Sequence, residues 1–155
     1  VAFLLCPLIE DREPNMKLSK SAVYMMVTLL ISPATQADDR KLVQMPKMMQ
    51  EHMLGNMRDH VKAIHEILSA LSRGELDQVA LVAEERLGMS SLDNHGASHM
   101  AGFMPKQMGA IGTDMHGAAS RLARIAEEGD RLETYDQLNE VTATCVACHV
   151  GYRIG

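Results

Sequence analysis

Two cysteines and a histidine stand close together near the C-terminus, in the run Cys145-Val146-Ala147-Cys148-His149. This C-x-x-C-H pattern is the attachment sequence of c-type haem, in which two thiols bind the porphyrin vinyl groups and the adjacent histidine ligates the iron. On a helix the three side chains lie at i, i+3 and i+4, so they share one face. The pattern therefore predicts one covalent haem c held by Cys145, Cys148 and His149, with His149 as an iron ligand.

Two other chemistries use cysteines at this spacing, and both fit the chain less well. A structural zinc site needs a second pair of Cys or His ligands, and the only other cysteine, Cys6, belongs to a segment that we expect to be removed. A thioredoxin-like C-x-x-C requires a βαβ context, and the sequence contains no such pattern. Thiol–disulfide exchange is also incompatible with thiols that carry haem.

The N-terminal part has the composition of a secretory signal. Residues 16–20 are a short basic stretch, residues 22–32 are apolar, and residues 35–37 end in a small residue before Asp38. This order predicts a signal peptide over 16–37, cleavage after Ala37 and a periplasmic protein. The apolar run is too short to span a bilayer, so no membrane span is expected. Residues 1–15 precede Met16 and carry three acidic residues, and we interpret them as an over-extended start. The domain is then 38–155.

Charge and composition narrow the function classes further. The formal net charge is −5, which argues against binding to nucleic acid. Residues 38–155 contain three aromatic side chains and no Trp, so aliphatic residues and ten methionines must form the core. A buried haem would supply the large flat apolar surface that aromatic rings normally provide, and flexible methionines pack well around an irregular ligand.

Apolar residues recur at helical spacing in four segments after residue 45. We predict helices over about 46–73, 76–87, 101–128 and 131–152, with Pro105 as a possible later start of the third. Residues 88–98 are rich in turn formers and predict a loop, and strand-like alternation is absent. Because short connections favour antiparallel neighbours, the fold class is all-α, an antiparallel four-helix bundle with the haem attached to its C-terminal helix.

This arrangement resembles the class II cytochromes c, a family that includes cytochrome c′ and its low-spin relatives. The resemblance rests on a C-x-x-C-H motif on the last helix of an exported four-helix protein, followed by Tyr152-Arg153. It implies that Cys145 and Cys148 are thioether anchors and that His149 is the proximal iron ligand.

Members of this family differ in what faces the iron opposite the histidine. In the low-spin branch a methionine of the first helix ligates, whereas cytochrome c′ has a non-ligating apolar residue there and binds small gases. The sixteenth residue counted from Asp38 is Met53, close to where the family places that ligand, so we predict Met53 as the sixth ligand. Counting back from the turn at Arg73 and Gly74 favours Met57 instead. The other candidates on the first helix are Met49, His52 and His60, and the two histidines would give bis-His iron.

His/Met coordination raises the reduction potential of haem and is typical of an electron carrier that works with a redox partner protein and is not an enzyme. The alternative function is binding of NO or CO to five-coordinate iron. A peroxidase-like activity would need an open iron and a distal acid–base group, for which His52 or His60 is available. Gly109, Gly112 and Gly117 lie within the third helix, and their explanation is close approach of a helix or of the haem, contact in a homodimer, or simple tolerance of glycine there. We expect His95 in the loop and His116 at the border of the core.

Overall fold

The computed structural model describes residues 38–155, and this part of the chain is mostly helical. Its main helices are α1 (Lys47–Arg73), α2 (Leu76–Arg86), α4 (Lys106–Glu128) and α5 (Arg131–Gly151), and the short helix α3 (Ala97–Met100) follows α2. Single 3-10 turns, Met89–Ser91 and Ala101–Phe103, flank α3, and two short strands, β1 (Lys41–Val43) and β2 (Tyr152–Ile154), lie at the ends. The predicted all-α class is confirmed at this level. The segments assigned to 1–15 and 16–37 lie outside the described residues.

Local sequence signals set most helix ends. Pro46 and Pro105 directly precede α1 and α4, where the missing N–H of proline costs little. Gly74 and Gly129 end the same two helices in the left-handed conformation, with φ of 74° and 86°, which glycine adopts without strain. At the start of α5 the carboxylate of Asp130 accepts a hydrogen bond from the backbone N–H of Glu133 at 3.0 Å.

The third predicted helix begins later than residue 101. The segment Ala101–Phe103 forms a 3-10 turn, and Met104 is extended with φ −88° and ψ 138°. The reason is Pro105, whose ring disfavours helical geometry in the residue before it. The helix therefore starts at Lys106, as the alternative start at Pro105 predicted.

Helix α4 packs along α5, and α2 packs against both α1 and α4. The main core between them is built from aliphatic and small side chains. Its largest fully buried members are Ile67, Leu71, Leu87, Leu122, Val79 and Val141. Alanines such as Ala63, Ala83 and Ala119 are also fully buried. Small side chains at these positions let the helix backbones approach one another closely.

A second apolar group, the methionine cluster, lies apart from the main core. Its buried members are Val43, Met45, Met53, Met100 and Met108, and Cys148 and Tyr152 pack against it. The described part of the protein therefore has an aliphatic core and a separate methionine-rich region next to the C-terminal end of α5.

The strand pair corrects the expectation that residues 38–155 contain only helices and loops. Strand β1 runs parallel to β2, with Lys41 opposite Tyr152, Leu42 opposite Arg153 and Val43 opposite Ile154. Each strand has only three residues, too few for an alternating pattern to be detected in the sequence. The pair joins the chain before α1 to the residues that directly follow the C-x-x-C-H motif.

The inward face of α5 also differs from the predicted stripe. Helical spacing from Leu132 through Tyr135 to Leu138 predicts that all three face inward, but Leu132 and Tyr135 are 78% and 40% exposed. The buried residues of the helix are Thr134, Leu138 and Val141. The Thr134 hydroxyl donates to the carbonyl of Asp130, so this polar side chain is satisfied inside and the apolar Leu132 points outward.

Within residues 38–155, no helix combines the length and the apolar character that crossing a membrane requires.

Candidate cofactor site

The C-x-x-C-H motif occupies the last two turns of α5. Cys145 is half-buried against the main core, and Cys148 is half-buried against the methionine cluster. The next residue, His149, is exposed, and its carbonyl accepts a hydrogen bond from Arg40 at 3.4 Å. The motif therefore lies between the two apolar regions, with one cysteine packed against each of them.

Both thiols are kept in the protonated form. Burial raises the pKa of Cys145 and of Cys148, and the neighbouring Cys145 raises that of Cys148 further. The Sγ of Cys145 donates to the carbonyl of Val141 at 3.5 Å, and neither thiol forms a disulfide. Because the thiolate is the reactive form, these cysteines are poor candidates for thiol–disulfide exchange.

An apolar cavity of about 300 Å³ opens beside the motif, and we call it the thiol cavity. Helix α5 contributes Cys145, Cys148 and His149 to its wall, and α1 and α4 contribute Met57, Ile64, Ile111 and Met115 among others. The structure thus brings all three predicted attachment residues to one cavity between three helices.

Two further cavities adjoin the thiol cavity. The methionine cavity, about 280 Å³, lies toward the end of α5 and is lined by Met53, Cys148 and His149. The histidine cavity, about 400 Å³, is lined by residues of α1, of the segment 92–105 and of α4. Met57 and Gly112 line all three cavities, so the three spaces meet at these two residues.

The glycines of α4 leave this space open. A β-carbon added to Gly109 or Gly112 would meet no atom within 4 Å, whereas one on Gly117 would meet the guanidinium of Arg121 at 3.6 Å. The predicted close approach of a neighbouring helix is therefore wrong for Gly109 and Gly112. Each glycine costs helix stability relative to alanine, and at Gly112 the result is a wider cavity beside the motif.

The candidate sixth ligands on α1 differ in their surroundings. Met53 is buried at 7% exposure and shares the methionine cavity with Cys148 and His149. Met49 and Met57 are half-buried, and Met57 borders both cavities that contain His149. His52 is exposed, and its Nε2 lies 2.9 Å from the carbonyl of His95, so this ring is engaged at the loop.

Sequence reasoning missed a cluster of three buried histidines. The ring centroids of His60 and His95 are 4.8 Å apart, those of His95 and His116 are 5.4 Å apart, and those of His60 and His116 are 6.1 Å apart. His116 was expected at the border of the core, and its Nδ1 lies 2.7 Å from the carbonyl of Leu87. His95 lies in the turns after α2, as the loop prediction has it, and it is buried because that segment packs against α1 and α4.

Burial disfavours the charged form of two rings of the cluster, His60 and His95. Burial, and then the charges of the two neighbouring histidines, lower the pKa of His60 to about 4. Burial and His116 lower the pKa of His95 in the same direction. Among residues 38–155 there is no group of three or more His, Cys, Asp and Glu side chains arranged to hold a metal ion. The cluster therefore contributes three buried imidazole rings to the wall of the histidine cavity.

Comparisons of the chain with protein-family models, with curated proteins and with solved structures give no match.

Proposed function

We propose that this protein is a c-type cytochrome that carries one covalent haem and transfers single electrons. The observation that carries the proposal is the meeting of Cys145, Cys148 and His149 at one apolar cavity. The proposal includes the resemblance to the class II cytochromes c. In it α1, α2, α4 and α5 are the four helices of an antiparallel bundle, with the haem on the last of them.

The residues at the cavity suit a large, flat apolar group. Cys145 and Cys148 would hold it through thioether bonds, and His149 would bind its iron. Two thiols one helical turn apart and outside any disulfide match this donor set. At Gly112 the wall lacks a side chain, which leaves room for a ring to lie against the backbone of α4. Bound haem supplies a one-electron iron couple whose potential depends on axial ligands and burial.

The protein's own contribution is an apolar cavity wall and a helix anchored in the main core. Apolar side chains from α1 and α4 form most of the thiol-cavity wall, and they would shield a bound group from water on those two sides. Helix α5 is fixed by Leu138 and Val141, which are buried in the main core. A rigid, apolar environment limits rearrangement when charge changes, which favours electron transfer over catalysis of a substrate.

We propose Met53 as the sixth iron ligand. Its buried side chain lines a cavity together with His149, and a thioether is a soft ligand that raises the reduction potential. Met57 is the second candidate for the sixth ligand, because it lines both cavities that contain His149. Single alanine variants separate the two methionines.

We further propose that the protein works in the periplasm with a redox partner protein. The signal-like composition of residues 16–37 supports the location. Val146 lies within the motif and Val150 directly follows it, and both are exposed on α5, so they offer apolar contact for docking where electrons would pass. A homodimer stays a prediction from the glycines of α4.

The alternative function is gas binding at five-coordinate iron. It is favoured by the histidine cavity, which adds about 400 Å³ of space beside Met57. A peroxidase-like activity would use His52 or His60 as the distal acid–base group, and burial lowers the pKa of His60 to about 4, so that ring is neutral near pH 7.

The first experiment measures covalent haem and its spin state in the full chain produced with a haem-attachment system. We expect one haem per chain by pyridine haemochrome assay and by mass, a low-spin ferric spectrum with the near-infrared methionine–iron band, and slow CO binding by the ferrous form. C145A/C148A is the matched control and should bind no covalent haem. Absence of covalent haem in the wild type would refute the cytochrome proposal. A high-spin spectrum with rapid CO binding would replace the electron carrier with the gas-binding alternative.

A further inference from the structure

One buried polar atom of the site lacks a partner within the described part of the chain. The side chain of His60 is only 8% exposed, and its Nε2 has no hydrogen bond to any residue of 38–155. Buried imidazole nitrogens are normally paired because removing them from water without a partner costs free energy. An unpaired one that lines a cavity points to a polar atom on whatever fills that cavity.

The two neighbouring rings, His95 and His116, already have polar contacts with other groups. Nδ1 of His116 lies 2.7 Å from the carbonyl of Leu87, and Nδ1 of His95 lies 3.3 Å from the hydroxyl of Ser91. These contacts fix the two rings that pack against His60, so its ring is confined by the cluster. His60 lines both the thiol cavity and the histidine cavity.

The chemistry of haem identifies the polar atom that would reach this place. Its two vinyl groups lie on one side of the macrocycle, and its two propionates lie on the opposite side. If Cys145 and Cys148 hold the vinyl side at α5, the propionates point away from α5. The histidine cavity lies in that direction, because its wall comes from α1, the segment 92–105 and α4, and it meets the thiol cavity at Met57 and Gly112.

We propose that His60 is a cofactor-binding residue that donates a hydrogen bond from Nε2–H to a haem propionate. The inference rests on the proposed function, since it requires haem on Cys145 and Cys148. The neutral ring carries one N–H and can present it at Nε2. Lys106 lines the same cavity and adds a positive charge on the side where the carboxylate would lie. A hydrogen bond to an ionised carboxylate is stronger than one between neutral groups.

The test uses the full haem-loaded protein and three variants. H60L removes the donor, H60Q keeps an N–H donor, and H65L is the matched control because His65 is an exposed histidine on the same helix. The readouts are the propionate bending band in resonance Raman spectra and the ferrous-to-ferric ratio at one fixed electrode potential. An unneutralised propionate stabilises ferric iron, so H60L should lower that ratio by about threefold to tenfold and shift the Raman band. H60Q should recover most of both changes, and H65L should match the wild type.

Three results would overturn the inference. The first is a haem-loaded H60L protein whose Raman band and ferrous-to-ferric ratio equal those of H65L. The second is a bis-His electron paramagnetic resonance signal in the wild type that disappears in H60L, which would make His60 an iron ligand. The third is a band shift in R153Q without one in H60L, because Arg153 lines the methionine cavity and would then hold the propionate. These outcomes leave covalent haem in place, whereas failure of the proposed function appears as a wild type without haem and removes both proposals.

Discussion

Gly112 gives the most direct test of whether the three cavities hold the haem. It lines all of them, and a β-carbon added to it would meet no atom within 4 Å. Alanine at this position fills only open space and removes the cost of glycine in a helix interior, which is about 1 kcal/mol. In the haem-free C145A/C148A chain, G112A should therefore increase the free energy of unfolding by about 1 kcal/mol.

Leucine at the same position should act on haem binding instead. Its side chain extends into the space where the ring would lie against α4. Forcing extra carbon atoms into an occupied site typically costs about 1–3 kcal/mol, which corresponds to roughly fivefold to hundredfold weaker haem uptake. G112L should thus fold without haem but carry much less of it than the wild type or G112A.

The assay compares covalent haem per protein, from pyridine haemochrome absorbance, with urea unfolding followed by far-ultraviolet circular dichroism. G117L is the matched control on α4, because a β-carbon there would meet only the guanidinium of Arg121 at 3.6 Å. Equal haem content in G112L and the wild type would show that the ring does not lie at Gly112. Equal losses in G112L and G117L would show that α4 tolerates no large residue, and would refute the assignment of the cavity.

Three other predictions follow from named side chains. M53A should lose the near-infrared methionine–iron band and have a lower reduction potential, whereas M57A should retain the band and the wild-type potential. A low-spin M53A spectrum with the band intact would exclude Met53 as the ligand. Burial lowers the pKa of His60 from 6.5 to about 4, so the unfolded chain binds more protons between these values. The free energy of unfolding of the haem-free chain should then fall by on the order of 3 kcal/mol between pH 6.5 and 4, and urea titrations of H60L should show a much flatter pH profile. D130A removes the hydrogen bond to the N–H of Glu133 and should cost about 1 kcal/mol in urea unfolding, with no change in haem content.

Helix boundaries and the position of the motif were predictable because they depend on near neighbours in the chain. Pro46, Pro105, Gly74 and Gly129 each act on the adjacent turn, and the structure places helix ends at all four. The shared face of Cys145, Cys148 and His149 follows from helical spacing alone. The order of the main helices therefore followed from rules that act over a few residues.

The strand pair and the histidine cluster were not predictable because they join distant segments. Lys41 pairs with Tyr152, and no pattern in three residues marks that partner. His60, His95 and His116 come from α1, a turn segment and α4, and only the tertiary fold brings their rings within 4.8–6.1 Å. The sequence carried a partial signal, because His60 falls at helical spacing with the apolar residues Met53, Met57 and Ile64 of α1, where a polar side chain indicates a specific partner.

The two apolar regions have different packing, and this difference bears on the cofactor. The main core is filled by aliphatic and alanine side chains, at the close packing that protein interiors normally reach. The region beside the motif is lined in part by methionines and glycines and contains cavities of about 280–400 Å³ each. Unfilled apolar space destabilises a fold in proportion to its volume, so a large flat ligand would contribute packing that the chain itself lacks.

Haem should therefore stabilise the end of the protein that holds Met53 and the β1–β2 pair, and leave the aliphatic core nearly unchanged. Hydrogen exchange measured on the haem-loaded wild type and on C145A/C148A tests this. In C145A/C148A, protection should be lower at residues 41–57 and 145–154 and unchanged around Leu122. Uniform loss of protection in that variant would show that the two regions fold as one.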